Sequence, residues 1–279
     1  MSAFEARPRF VRSRDGTPIA VFTSGEGPSL VLVHGTTADH TTFRALGPVL
    51  AETHSIHAID RRGRGASGDG RGEYRIELEY EDVAAVADAI AEDTGEPVDV
   101  VGHSHGGRCA LGAALRTASI GRLVLYEGAP RAPGTPGYVP PGVEDRIAEL
   151  IGAGEREAAL ETFFREIVRM PEPDLAAYRA DRVWPVRVAA ADTTLREVAA
   201  ERSAAASLEV LGGVEQPVLQ ILGGASAPPF REATVALDTR LSNGRIIVID
   251  GARHAAHHTH VADMAAAIRS FLADSSVAD

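Results

Sequence analysis

The sequence predicts an α/β protein built on an open, mostly parallel β-sheet. Short apolar runs recur along the chain, and most are continuous rather than alternating, as strands covered by helices on both faces require. Helical patterns lie between these runs, and this alternation with short turns is typical of an open α/β sheet. The 279 residues are enough for one large domain with an insertion or for two small domains.

The predicted elements follow one another in a regular order. Residues 10–23 contain two short runs about the turn Asp15-Gly16, which is the signature of a β-hairpin. After the hairpin, six further strands are predicted at residues 30–35, 55–60, 98–104, 122–128, 218–224 and 245–250. Helices are predicted at about 41–52, 79–94, 106–117, 229–241 and 260–274. The hairpin and the later strands together give a sheet of eight strands.

The regular order breaks once, between residues 129 and 205. This stretch opens with the Pro- and Gly-rich linker GAPRAPGTPGYVPPG and continues as helical patterns without a convincing strand. We therefore predict a helical lid at 129–205, inserted after the sixth strand. The core domain then comprises residues 1–128 and 206–279.

Composition excludes several classes of function. The net charge of −11 argues against binding nucleic acid or an anionic membrane through a broad basic face. All 28 basic residues are arginine, which excludes Schiff-base and lysine-nucleophile chemistry. Cys109 is the single cysteine, so no internal disulfide is possible, and no apolar run has the length of a signal peptide or membrane span. These features predict a cytoplasmic protein.

The strongest motif is Gly102-His103-Ser104-His105-Gly106, a G-x-S-x-G sequence. It lies between an apolar strand and a helical pattern, which is the context that this motif requires. The glycines allow a sharp turn that holds the serine strained and exposed at the carboxyl end of the sheet. The motif predicts Ser104 as a nucleophile.

A second motif supports the first. His34-Gly35 ends an earlier strand, so the next main-chain N–H can point towards the same place as the N–H that follows Ser104. Two such donors form an oxyanion hole. We predict that they are the main-chain amides of Thr36 and His105.

With these motifs the chain resembles the α/β-hydrolase fold family over almost its whole length. The resemblance rests on HG after the third strand, DRRGRGASG after the fourth, the G-x-S-x-G turn after the fifth, the lid, and a histidine after the last strand. It implies an eight-stranded, mostly parallel sheet flanked by helices, and a triad in the chain order serine, acid, histidine.

The histidine of the triad falls in RIIVIDGARHAAHHTH. The turn after the last strand presents His254 first, in the G-x-x-H spacing seen in the family, and we predict it as the general base, with His257 as the alternative. A histidine-rich tract can also bind metal, but no carboxylate or cysteine pattern accompanies this one, so no metal site is predicted.

The acid of the triad is missing from its commonest place. The loop after the seventh strand, LGGASAPPF, offers only residues 225–227 (Ala-Ser-Ala), and a hydroxyl cannot stabilise an imidazolium. Asp238 lies too far along the next helix, and Asp250 is expected on the last strand. In some branches of the family the acid follows the sixth strand, and there LVLYEGAP carries Glu127. The alternative is a strand-end glutamate that bonds to the lid.

Three further side chains are candidates for substrate contacts. His40 follows the predicted oxyanion turn, and the lid carries Phe163 and Trp184, which are equally expected as lid core. In DRRGRG we expect a turn with ion pairs around Asp60 rather than a nucleic-acid site.

These residues predict a serine hydrolase of a small apolar ester, lactone or thioester that acts through an acyl-enzyme and needs no metal or organic cofactor. The partner is then a small-molecule substrate. Two alternatives stay open. The same fold and triad also serve C–C hydrolysis, lyase, cyclisation or cofactor-free oxygenation chemistry, and relatives on this fold have become non-catalytic receptors. The sequence leaves the oligomeric state undetermined.

Overall fold

The computed structural model describes residues 7–135 and 139–274. At its centre is an eight-stranded sheet with the strand order β1-β2-β4-β3-β5-β6-β7-β8. β2 pairs antiparallel with β1 and with β4, and all the other pairs are parallel. The prediction of a mostly parallel, eight-stranded sheet is confirmed. The strands are β1 (Arg9–Arg12), β2 (Pro18–Ser24), β3 (Ser29–Val33), β4 (Ser55–Ile59), β5 (Val98–His103), β6 (Ile120–Tyr126), β7 (Val218–Gly223) and β8 (Gly244–Ile249).

Helices cover both faces of this sheet. One apolar cluster packs α2, α3 and α10 against one face, and a second packs α1 and α12 against the other. This arrangement explains why the central strands are apolar without alternation: all six residues of β7, for example, are buried. The helices of the core are α1 (Leu46–Leu50), α2 (Ile76–Thr94), α3 (His105–Ala114), α10 (Pro228–Asp238), α11 (Ala256–Thr259) and α12 (Val261–Ala273).

Among the described residues between β6 and β7, all regular secondary structure is helical. Its helices as far as α8 share an apolar cluster of their own, whereas α9 packs into the main core through Leu208 and Leu211. We call residues 129–205 the inserted segment. The helices between β6 and β7 are α4 (Val143–Gly152), α5 (Arg156–Thr162) with the π-helical turn Phe163–Ile167, α6 (Glu172–Arg179), α7 (Trp184–Ala189), α8 (Thr194–Ala200) and α9 (Leu208–Leu211).

The helix predicted at 41–52 is wrong in its extent. The structure has a 3-10 turn, His40–Phe43, and then the short helix α1 from Leu46. Pro48 has no N–H to donate to the carbonyl four residues earlier, so it is tolerated only in the first turn of a helix. The α-helix therefore begins again just before Pro48. The side chain of Asp39 caps the preceding turn by accepting a hydrogen bond from Thr41 N at 2.9 Å.

In the described parts of the chain, no helix combines the length and the apolar character needed to cross a membrane.

Candidate active site

Ser104 lies in a strained turn between β5 and α3. Its φ of 54° and ψ of −124° are a conformation that side-chain-bearing residues rarely adopt. The glycines of the motif make the turn possible because a Cβ on Gly102 would lie 2.5 Å from Gly107 Cα, and one on Gly106 would lie 2.3 Å from the main-chain oxygen of Val33. The G-x-S-x-G spacing thus permits the close contact of α3 with β3 and presents Ser104 at the carboxyl edge of the sheet.

Glu127 and His254 form a hydrogen-bonded pair beside this turn. Glu127 directly follows β6 and is only 2% exposed. The Nδ1 of His254 donates to Glu127 Oε2 at 2.6 Å, and the main-chain N of Gly223 donates to Glu127 Oε1 at 2.9 Å. The last residue of β7, just before the loop that lacks an acid, therefore supplies a hydrogen-bond donor to the acid that follows the neighbouring strand β6.

The turn that carries His254 is fixed from two sides. The hydroxyl of Tyr126 donates to the main-chain oxygen of Arg253 and accepts a hydrogen bond from Ala256 N at 3.0 Å. The ring Nε2 of His103 lies 3.0 Å from the main-chain oxygen of His254, to which it donates. Burial lowers the pKa of His103 well below its ordinary value, so this ring is neutral. These hydrogen bonds fix the main chain at His254 and at residues before and after it.

Ser104 and His254 face a common space, which we call the inner cavity. Its empty volume is about 370 Å³. The core contributes Thr36 to its wall, and the inserted segment contributes the rings of Phe163 and Phe164. The wall of this space beside Ser104 and His254 is therefore largely apolar.

A larger, more open space adjoins the first, and we call it the outer cavity. It has about 1150 Å³ of empty volume, including its opening to solvent. The loop after β7 lines it with residues 225–227, and His254 borders it as well as the inner cavity. His254 thus stands at the junction of the two spaces.

The two residues predicted to supply the amides of an oxyanion hole both lie close to Ser104. His105 is the first residue of α3, where main-chain N–H groups have no partner within the helix. The loop of Thr36 touches the same serine, since a Cβ on Gly35 would lie 3.1 Å from Ser104 Cβ. The His105 ring is held by Glu201, whose Oε1 is 3.1 Å from its Nδ1.

The other acids and histidines named from the sequence are placed differently. Asp238 Oδ1 accepts a hydrogen bond from Gln220 Nε2 at 3.3 Å at the end of α10. Asp250 was expected on the last strand, but β8 ends at Ile249 and Asp250 is exposed in the turn. His257 is buried, with its Nε2 3.2 Å from Thr42 Oγ1. Of these side chains, none meets the Glu127–His254 pair through a hydrogen bond in the described ranges.

Of the three residues predicted to contact the substrate, one lines a cavity and two do not. Phe163 lines the inner cavity. His40 borders neither cavity, because its ring lies 2.8 Å from Asp60 Oδ1 and stacks on Phe22 with a centroid distance of 3.6 Å. Trp184 also borders neither cavity, since it belongs to the apolar cluster of the inserted segment and donates to Glu157 Oε1 at 2.8 Å.

The arginines of DRRGRG do form ion pairs, but not with Asp60. Arg61 and Arg64 both donate to Glu197 Oε1 of α8, and Arg61 Nε lies 3.3 Å from Glu79 Oε2 of α2. We call Arg61, Arg64, Glu79 and Glu197 the buried ion cluster. Burial alone raises the pKa of Glu197, but the two arginines outweigh it and hold that pKa far below its ordinary value. No local sequence pattern indicates these partners, because they come from distant segments.

Two clusters in the described ranges bring possible metal-binding atoms together. In each, a carboxylate already accepts hydrogen bonds: Glu79 from Tyr74 Oη at 2.7 Å and Asp60 from His40 N at 2.9 Å. Neither cluster includes Ser104 or His254. The clusters are Glu79, His105 and Cys109, and Asp39, His40 and Asp60.

Comparison with known proteins gives consistent matches over nearly the whole chain. A family model described as the alpha/beta hydrolase family matches residues 30–267. A protein of Neisseria meningitidis serogroup B named pimeloyl-[acyl-carrier protein] methyl ester esterase is 29% identical over 277 residues, covering 94% of this chain and 96% of the relative. A protein of the same name from Stenotrophomonas maltophilia is 29% identical over 268 residues, covering 92% of this chain and 97% of that one.

Solved structures agree in fold. An alpha/beta hydrolase from Sphaerobacter thermophilus superposes with a TM-score of 0.81 at 30% identity and covers 95% of this chain and 100% of its own. The esterase RhEst1 from a Rhodococcus species superposes with a TM-score of 0.78 at 23% identity, covering 96% of this chain and 98% of its own. The second likeness is one of fold alone.

Proposed function

Because this chain belongs to the α/β hydrolase family, we propose that it cleaves a small ester, lactone or thioester through an acyl-enzyme formed on Ser104. One observation carries the proposal: Glu127 binds the Nδ1 of His254 at 2.6 Å, and His254 shares the inner cavity with Ser104. Serine, histidine and carboxylate in this relation are the parts of a nucleophilic triad.

The names of the relatives agree with this activity. The prediction of an ester-cleaving serine hydrolase is confirmed by the esterase relatives that align over most of the chain. Those relatives are named for a methyl ester on an acyl chain. We therefore propose methyl esters as the first class of substrate to test.

In the proposed mechanism, His254 transfers protons, while Glu127 and two main-chain amides stabilise the charges that develop. Glu127 holds His254 in the tautomer with hydrogen on Nδ1, which leaves Nε2 to take the proton of Ser104 as the hydroxyl attacks the carbonyl carbon. The main-chain amides of Thr36 and His105 stabilise the oxyanion. His254 then protonates the leaving alcohol or thiol, and a water molecule hydrolyses the acyl-enzyme with the same histidine as base.

The inserted segment acts as a lid in this proposal. Phe163 and Phe164 cover the reactive side chains and restrict the entry of water and of bulky acyl groups. The boundaries at 128/129 and 205/206 remain part of this proposal: the buried residues of the segment's own apolar cluster lie between Val143 and Val198, whereas Ala129, Ala200 and Ala205 pack with the main core.

We further propose that the protein works in the cytoplasm and without a cofactor. Its single cysteine, Cys109, is buried, and burial raises the pKa of the thiol well above its ordinary value. Such a thiol is a small core group that suits a reducing compartment. The triad needs no metal or organic group for acyl transfer.

The experiment compares turnover of short-chain and medium-chain p-nitrophenyl esters by wild type, Ser104→Ala and Glu127→Gln. We expect Ser104→Ala to lose acyl-enzyme formation, and Glu127→Gln to retain binding while kcat falls roughly 10³–10⁴-fold, because the neutral amide does not stabilise the imidazolium. Ser242→Ala, an exposed serine in the turn before β8, is the matched control and should behave as wild type.

Phosphonate labelling with mass spectrometry identifies the nucleophile independently. A label on Ser104 and on no other serine supports the proposal. Substantial esterase activity in Ser104→Ala would refute it. An inert Ser104, with slow turnover of every activated ester, would favour either non-hydrolytic chemistry on this fold or ligand binding.

A further inference from the structure

Arg187 brings a buried positive charge to the inner cavity. It lies on α7 of the inserted segment, is 5% exposed, and lines the same space as Ser104 and His254. Its Nη2 donates to Thr42 Oγ1 at 2.9 Å, and its buried Nε has no hydrogen-bond partner. Within residues 7–135 and 139–274, this guanidinium makes no ion pair with a carboxylate.

This lack of an acid sets Arg187 apart from the other buried arginines of the described ranges. Each of those faces a carboxylate, as the cost of burying a charge requires. Arg187 stays charged because the guanidinium does not lose its proton in proteins. The face of the Tyr178 ring, 4.5 Å from its Cζ, gives only partial compensation. The paired arginines are Arg61, Arg62, Arg64 and Arg108.

The neighbouring groups do not neutralise the charge either. Glu127 is engaged by His254 and Gly223, and Asp181 is paired with Arg44. Burial first, and the charge of Arg187 among other groups, lower the pKa values of His103 and of His257 and keep both rings uncharged. Among the described residues, Arg187 therefore has no carboxylate as its own ion-pair partner, because Glu127 is bound to His254 and Asp181 to Arg44.

We propose that Arg187 binds a carboxylate of the substrate, so that the preferred substrates are monoesters of short dicarboxylic acids. This inference rests on the proposed function and names its substrate class. The planar guanidinium matches a carboxylate with two parallel hydrogen bonds. The apolar side chains of Phe163, Phe164 and Val168 line the same cavity as Ser104 and Arg187, and they suit the methylene chain of such an acid.

The test compares two methyl esters that differ only in charge: monomethyl adipate and its primary amide, methyl 5-carbamoylpentanoate. Both have the same size, and at pH 8 only the first carries a negative charge. We expect wild type to hydrolyse the acid with a kcat/KM roughly 10–100-fold higher than the amide, the range of a charge-assisted hydrogen bond. A ratio at or below one would overturn the inference.

Variants assign the preference to Arg187. Arg187→Met keeps the length of the side chain and should lower the ratio to about one while the amide is still hydrolysed, whereas Arg187→Lys should keep part of the preference. Arg165→Met is the matched control, because Arg165 is an exposed arginine of the inserted segment that pairs with Glu161 and Glu172. A ratio unchanged in Arg187→Met would overturn the proposal.

Inhibition of wild type keeps the proposal testable if these variants fail to fold. Adipate should inhibit hydrolysis of p-nitrophenyl butanoate competitively at a concentration at least about tenfold lower than adipamide does. Equal inhibition by the two compounds would overturn the role of charge. Methyl 5-carbamoylpentanoate, the neutral methyl ester, separates the two proposals. If wild type hydrolyses it as fast as monomethyl adipate, only the inference about Arg187 fails. If Ser104→Ala hydrolyses it as fast as wild type does, the proposed function fails.

Discussion

At the scale of single residues, Tyr126 has a clear structural role that is distinct from the triad. Its hydroxyl joins the main chain on both sides of His254, through Arg253 and Ala256, and its ring is completely buried. Tyr126 precedes Glu127, so one strand end supplies both the acid and the side chain that fixes the histidine turn. The position of His254 thus depends on two consecutive residues of the chain.

We expect Tyr126→Phe to lower kcat about tenfold with little change in KM, and to lower the free energy of unfolding by about 1–3 kcal/mol, since Arg253 O loses the hydroxyl donor and Ala256 N–H keeps only its 3.2 Å bond to Arg253 O. Steady-state kinetics and urea denaturation measure the two effects. Tyr80→Phe is the matched control: Tyr80 is equally buried and donates to Ala205 O at 3.2 Å, away from the cavities. A similar loss of kcat in both variants would contradict the positioning role of Tyr126.

The residues of the proposed triad follow from sequence patterns, whereas the contacts of Tyr126 and Arg187 do not. Glu127 can be assigned as the acid of the proposed triad from the sequence, because the loop after β7 carries no acid and the end of the adjacent strand β6 is followed by one. Tyr126 and Arg187 act through contacts with residues 127 and 145 positions away in the chain. No local spacing indicates such contacts, so the structure was needed to find them.

At the scale of elements, the buried ion cluster attaches α8 of the inserted segment to the core. Glu197 is 1% exposed and is the shared partner of Arg61 and Arg64 from the loop after β4. Glu201, just beyond the same helix, binds the ring of His105. One helix of the inserted segment therefore contacts both the loop after β4 and the residue that follows the nucleophile.

Glu197→Gln is expected to lower the free energy of unfolding by about 3–5 kcal/mol, because it leaves two buried guanidinium groups with Glu79 alone. Urea denaturation measures this loss. Asp192→Asn is the control: it removes one carboxylate from an ion pair with Arg156 in which both side chains are nearly half exposed, and solvent screening makes the contribution of such pairs to stability small. Equal effects of the two substitutions would show that the cluster does not anchor α8.

The boundaries of elements were predictable for strands that are buried on both faces of the sheet. The core strands lie within about two residues of the predicted runs because a strand covered on both faces has a continuous apolar sequence. The helix at 41–52 was wrong because the hydrophobic pattern extends across Pro48, and only the missing N–H of that residue divides it.

At the scale of the whole molecule, the histidines make stability dependent on pH. Burial lowers the pKa of six of the ten histidines, to about 4 for His57. Unfolded histidines titrate near 6.5, so below that pH the unfolded chain binds protons that the folded protein does not. The stabilisation is complete above about pH 6.5 and decreases as the pH falls towards 4. The six are His34, His54, His57, His103, His257 and His258.

We expect the free energy of unfolding to fall by several kcal/mol between pH 7 and pH 5. Burial also raises the pKa of Asp82 and of Asp99 to about 6, which has the opposite sign and offsets part of the loss. Urea denaturation at pH 7, 6 and 5 measures the trend. His57→Gln should reduce the slope by up to about 1.4 kcal/mol per pH unit. A stability that is constant or rises on acidification would contradict this account.

Fold class and family were predictable at this scale, because the motifs occur in the chain order that the fold requires. How the inserted segment lies over the sheet was not, since its helices carry no motif and their positions depend on contacts such as those of Glu197 and Phe163. The substrate preference inferred here depends on α7 of that segment. Specificity is therefore encoded where sequence patterns are least informative.

The bond from Gly223 to Glu127 has a further consequence for protein engineering. The end of β7 gives Glu127 only a main-chain N–H, and the loop that follows lines the outer cavity with residues 225–227. Variation at 225–227 can therefore reshape the entrance for larger leaving groups without altering the charge that activates His254. Directed evolution of substrate scope can begin at these three positions, with Gly223 kept because a Cβ there would lie 2.6 Å from the main-chain oxygen of Ala252.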